Sequence, residues 1–156
     1  FSGKGCEDFF SQVFVHVRLG DLIDDNRNKD ICDYEYYCLC LSNFSGGYIA
    51  SDSPEHPMVK SLCNKFNLTP YRNTPEQTII FGSKFSNKVL SLGTFSWWIG
   101  FIGNQDNVMY PNPTEYQKWH GSIFEHMKNW NRISSVQQFK GLSFDQIKKI
   151  NSITKY

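Results

Sequence analysis

Stretches in which every second residue is apolar take turns with stretches that repeat at helical spacing, and the connections between the former are too long for hairpins. That succession limits the fold more than any other feature, because strands joined through helices return to one sheet in parallel. Val13, Val15, Val17 and Leu19 alternate with Phe14, His16 and Arg18, which predicts a strand over 12–19. An Asp- and Asn-rich loop over 20–33 leads to a helix over 34–41 and a short strand over 47–51. Met58, Val59, Leu62, Cys63 and Phe66 recur on one helical face, with Pro57 suited to the first turn. A short strand near 68–71, a helix opened by Pro75 and reaching about 85, and a strand over 88–92 follow. An apolar helix over 95–102 and a last strand over 107–110 complete the series. The expected fold is therefore α/β, a Rossmann-like, mostly parallel sheet with helices on both faces, in one domain over 1–156. Near the end, Ser143 and Gln146 form a capping box ahead of the stripe Phe144, Ile147, Ile150 and Ile153, which predicts a closing helix.

The composition suits such a core. Hydrophobic residues make up 40% of 156 and charged residues 20%, which excludes intrinsic disorder. A net charge of +1 gives no global field that would mark a nucleic-acid partner, and no apolar run approaches the roughly 18 residues of a membrane-spanning helix. The start, Phe1 to Gly5, has neither an initiator Met nor the apolar core of a signal peptide, so the sequence is expected to begin partway through a longer product. Five cysteines cannot all pair internally, and Cys38 and Cys40 lack the spacing of a zinc site, so buried, inert thiols and no metal are expected. Sequons at Asn43 and Asn67 leave the compartment open between cytoplasm and Golgi lumen.

In an open α/β sheet, ligands bind beyond the carboxyl ends of the strands, so the strand-to-helix junctions are the candidate sites. The first is His16-Val17-Arg18-Leu19-Gly20-Asp21, where a guanidinium suited to a diphosphate leaves a buried strand; an Arg18 to Asp21 ion pair tying the loop is the alternative. The second is Ser91-Leu92-Gly93-Thr94-Phe95-Ser96-Trp97-Trp98, where hydroxyls and helix-start amides make an anion site, unless Thr94 or Ser96 is only an N-cap and the tryptophans only core. At the third, Ser51-Asp52-Ser53-Pro54-Glu55, Asp52 could accept from a ribose or base, or Ser53 or Asp52 could cap a helix. No GxGxxG, P-loop or GxSxG motif is present. Asp24, Asp25 and Asp30 read as a solvated turn, and His56, His120 and His126 as surface or satisfied residues.

Taken in order, HVRLGD (His16 to Asp21), YIASDSPE (Tyr48 to Glu55) and LGTFSWWIG (Leu92 to Gly100) resemble the signature blocks of the α-1,2-fucosyltransferase family, glycosyltransferase family 11. The resemblance spans about 13–111. It implies one half of a GT-B-type enzyme, the C-terminal donor-binding half, which transfers fucose from GDP-fucose to a glycan hydroxyl with inversion and without a metal. GDP-fucose is then a substrate, and no separate cofactor is implied. By carry-over, Arg18 binds the diphosphate and stabilises the leaving group as the catalytic residue. His16, Gly20, Asp21, Asp52, Thr94, Phe95 and Ser96 complete the donor site. The chain departs from the pattern at Leu19, where the family block has a second Arg, at Ser53, where it has a second Asp, and at Glu76, Gln77 and Thr78, where an Asp is usual. These departures leave open a transferase using another nucleotide sugar, or a non-catalytic nucleotide- or glycan-binding relative.

Overall fold

A computed structural model of the chain describes residues 9–25, 30–112, 123–124 and 126–134. Its elements run β1 (Val13–Val17), α1 (Gly20–Asp24), α2 (Tyr34–Leu41), β2 (Gly47–Ser51), α3 (Pro57–Phe66) and β3 (Leu68–Pro70). The second half contributes α4 (Pro75–Ser83), β4 (Asn87–Val89), α5 (Thr94–Phe101), β5 (Asn107–Pro111) and β6 (Asn131–Ile133). The strands form one sheet in the order β3-β2-β1-β4-β5-β6, and every pair in it is parallel. The chain thus winds outward from β1 to β3, returns to β4 beside β1, and winds outward the other way. With right-handed crossovers, that reversal puts α2 and α3 on one face and α4 and α5 on the other, and each pair packs together. The fold is α/β and Rossmann-like.

All five residues of β1 are buried, as a strand central to a doubly covered sheet requires. Period two divides them between the faces. Phe14 points toward α4 and α5, where its ring meets Phe81 and Phe85 at centroid distances of 6.0 and 5.6 Å. On the opposite layer, Tyr36 and Tyr37 of α2 are wholly buried, and the Tyr36 hydroxyl donates to the Leu90 carbonyl at 2.6 Å. The helix starts follow local chemistry. Asp33 caps α2 by accepting from the Tyr36 amide at 2.8 Å, and His56 caps α3 by accepting from the Met58 amide at 3.1 Å ahead of Pro57. Asn67 ends α3 in the left-handed conformation, φ 56°, and returns its N–H to the Cys63 carbonyl.

Several expectations need correction. The segment expected as loop from residue 20 begins with α1, which starts on an Ile23 amide bond to the Leu19 carbonyl and buries Leu22. Asp30 is buried rather than solvated. The strand of 12–19 ends at Val17, so Arg18 and Leu19 lie beyond the ladder. β6 was not expected: Asn131 and Arg132 are exposed, so the segment has no apolar alternation, and its pairing with β5 defines it. Cys32, Cys38, Cys40 and Cys63 are thiols, and burial pushes the last three above the usual thiol range. Cys6 and the helix expected over 143–153 lie outside the described residues.

Candidate functional site

The winding direction reverses between β1 and β4, and the crevice of a doubly wound sheet opens at that point. Because Phe14, His16 and Arg18 share one face of β1, the face that meets α5, the strand carries Arg18 past its last ladder bond toward the start of that helix. The contact is close. A β-carbon at Gly93, the N-cap of α5, would stand 2.9 Å from Arg18 Nη1. Gly93 has φ 107° and ψ 163°, a conformation essentially confined to glycine, and it supplies no side-chain cap. The first helix-internal bond of α5 runs from the Trp97 amide to the Gly93 carbonyl, so the amides before it have no partner within the helix, and Thr94 and Phe95 of this first turn line the crevice at the positive end of the helix dipole.

Beneath the guanidinium lies a buried polar triangle. His16 Nδ1 is 2.9 Å from Ser96 Oγ and 3.0 Å from Ser91 Oγ, and the two hydroxyl oxygens are 3.2 Å apart. The Ser91 amide donates to Ser96 Oγ at 2.8 Å. Burial, reinforced by the Arg18 charge, pushes the His16 pKa down to about 3, so the ring is neutral at ordinary pH, with one nitrogen donating and the other accepting. His16 also lies against the Phe95 ring, centroids 4.9 Å apart. The triangle ties the end of β1 to the first turn of α5 and fixes where Arg18 emerges.

Asp52 closes the β2 side. Its Oδ1 accepts from the Leu19 amide at 2.9 Å, and a β-carbon on Gly20 would stand 2.6 Å from Oδ2, so Gly20 gives this carboxylate its room. The space enclosed is a cleft of about 640 Å³, within the usual range for small-ligand sites.

Of the residues singled out from sequence, His16, Arg18, Asp52, Thr94 and Phe95 line this cleft together. Ser96 is wholly buried and braces His16 from below. Asp21 falls in the first turn of α1, and its side chain is not among those described. The N-cap readings fail: Gly93 caps α5 and His56 caps α3, so Thr94, Ser96, Asp52 and Ser53 cap neither. Nor are the tryptophans simply core, since Trp98 is 45% exposed while Trp97 stacks on Phe101 at 4.5 Å.

Sequence reasoning missed the far wall, formed by Tyr71, Arg72 and Asn73 beyond β3 and by Pro75 and Thr78 of α4. The strand-end rule applied to β1, β2 and β4 reaches this wall when applied to β3 as well. It also missed Lys88, a wholly buried lysine whose Nζ donates to the Ile99 and Ile102 carbonyls at 2.9 and 3.1 Å, closing the C-terminal end of α5. Burial pushes its pKa down to about 8, partly opposed by Asp106. Among the described residues, no group of three His, Cys, Asp or Glu side chains could hold a metal ion.

The geometry defines a doubly wound α/β protein whose cleft, at the switch point, presents a guanidinium beside a helix N-terminus. The family model for glycosyl transferase family 11 matches residues 7–134, most of the chain, and the chain belongs to that family. It is a glycosyltransferase domain, a class that works on nucleotide-sugar and glycan substrates. No curated protein sequence and no solved structure matches it significantly. Among the described residues no helix is long and apolar enough to cross a membrane.

Proposed function

We propose that this chain is the donor-binding domain, within a longer GT-B-type protein, of an α-1,2-fucosyltransferase-like enzyme that uses GDP-fucose by an inverting mechanism without a metal. The observation that carries the reading is the meeting of Arg18 with the Gly93 turn at the start of α5. In the transfer, the acceptor hydroxyl oxygen bonds to the anomeric carbon from the face opposite the diphosphate. The bond from that carbon to the β-phosphate oxygen breaks, its electron pair leaves with GDP, and the hydroxyl proton passes to a base. Negative charge therefore grows on the diphosphate. A guanidinium beside the Gly93 turn and helix-start amides are donors in place for that charge before the reaction begins, and loss of one such donor costs about 10²–10³-fold in rate.

The remaining residues fit subordinate roles in this reading. Thr94 and Phe95 form the phosphate-facing turn, His16 and Ser96 hold it against β1, and Asp52 accepts from donor hydroxyls. Leu19, where the family block has a second Arg, is wholly buried and meets the site only through its amide, bonded to Asp52.

The test is a donor panel on the intact gene product. Transfer of fucose from GDP-fucose to a glycan acceptor, with the product anomer inverted and activity retained in excess chelator, supports the reading. Transfer from a different nucleotide sugar, or retention of anomeric configuration, refutes it.

A further inference from the structure

The cleft is longer than a diphosphate needs, and its lining changes character along its length. From the α5 start it passes the ends of β1, β2 and β3 in turn, and three strand spacings of about 4.8 Å make roughly 14 Å. Arg18 and the α5 turn fix one end as the anion end. Asp52, standing next, is a carboxylate, which repels phosphate and suits the hydroxyls of a ribose. Beyond it a second guanidinium appears, Arg72, separated from Arg18 by that acid.

This far wall is built rather than incidental. The Tyr71 amide donates to the Ile49 carbonyl at 2.8 Å, extending the ladder past β3, and its ring stacks on Phe81 at 4.2 Å with 2° between the planes. Asn73 donates to the Tyr71 hydroxyl at 3.3 Å and accepts from the Thr74 amide at 2.9 Å, which fixes the turn. Arg72 Nη2 donates to Glu55 Oε1 at 2.8 Å, and Glu55 is itself paired with Lys60 at 3.1 Å. The bond to Glu55 orients the planar fork while using one of its five N–H donors.

We propose that the loop beyond β3 reads the nucleobase, with Arg72 offering its guanidinium to the O6 and N7 acceptors of guanine. The proposal rests on the donor reading above and deepens it by naming the residue that selects the base. Guanine presents two adjacent acceptors that match the fork, whereas adenine sets an amino donor beside N7 and uracil has no such pair. Thr78, also on this wall, sends its hydroxyl to the Thr74 carbonyl at 2.8 Å, and Arg72 is the charged residue that this wall contributes to the cleft lining.

The experiment titrates GDP, ADP, UDP and inorganic pyrophosphate calorimetrically into the intact protein and into its Arg72→Ala, Glu55→Gln and Arg18→Ala variants. The Arg72 and Glu55 side chains are 62% and 69% exposed, so these two substitutions leave the core untouched, and a melting curve for each verifies it. The wild type is expected to prefer GDP over ADP by about 5- to 150-fold, the range of a good bidentate contact. Arg72→Ala should erase that preference while leaving pyrophosphate binding within twofold, and Glu55→Gln should reduce the preference in part. An unchanged preference in Arg72→Ala would reduce Arg72 to a rim ion pair and overturn the proposal. An equal loss of pyrophosphate would make it a phosphate ligand, which overturns it too. Failure of Arg18→Ala to weaken pyrophosphate would instead defeat the underlying donor reading, even if Arg72 still governed base preference.

Discussion

Replacing Gly93 with alanine perturbs the backbone and the guanidinium together. At φ 107° and ψ 163°, a residue with a β-carbon is strained by about 1–3 kcal/mol. For a chain of this size, that lowers the melting temperature by about 2–12 °C, at roughly 2–4 °C per kcal/mol. The new methyl group would also stand 2.9 Å from Arg18 Nη1, closer than the two can pack, and the flexible arginine is the partner that gives way. A guanidinium moved off the α5 turn loses a charge-assisted bond to the diphosphate worth about 1.5–3 kcal/mol, which is about 10- to 150-fold in GDP affinity. Thermal melting and calorimetric GDP titration on the same Gly93→Ala preparation measure both effects. A variant with lowered melting temperature and wild-type GDP affinity would refute the claim that the Arg18 contact at this turn forms the phosphate site. An unshifted melting temperature would refute the backbone argument.

Two further outcomes follow from the buried polar groups. His16 has a pKa of about 3 in the fold against 6.5 when exposed, so between those values the unfolded chain holds a proton that the folded chain lacks. Stability is then full above pH 6.5 and falls as pH drops toward 3, by up to about 1.4 kcal/mol per pH unit. Urea midpoints from pH 7 to pH 4 should decline more steeply for the wild type than for His16→Gln, and parallel declines would contradict this. Lys88→Met keeps the apolar stem but removes the donors to the Ile99 and Ile102 carbonyls, so it should destabilise the protein by about 1–3 kcal/mol in chemical denaturation. A neutral result would show that those carbonyls find other donors.

How much of this was readable beforehand depended on where the information sits. The order of elements was legible because β1 and α3 carry strong local periodicity and α5 is a continuous apolar run, and alternation of strand and helix forces a parallel sheet. The residues flanking the cleft from β1, β2 and α5 were legible because strand ends converge in this topology. β6 was not, since a three-residue edge strand with two exposed polar residues is specified by its partner rather than by its own pattern. Gly93 as the N-cap was missed because nearby Thr94 and Ser96 are better cappers by residue type. The close approach of Arg18 there, and the burial of Ser96 against His16, are tertiary facts. Lys88 was invisible for a related reason: a lysine in an alternating strand reads as solvent-facing until the end of α5 is seen above it.

In the proposed function, one guanidinium at the end of β1 holds the donor diphosphate against the start of α5. Equilibrium titration of GDP into the intact protein carrying Arg18→Ala addresses it most directly. Affinity should fall by about 10-fold or more, with the melting temperature little changed because Arg18 is only partly buried. GDP affinity within twofold of the wild type would contradict it.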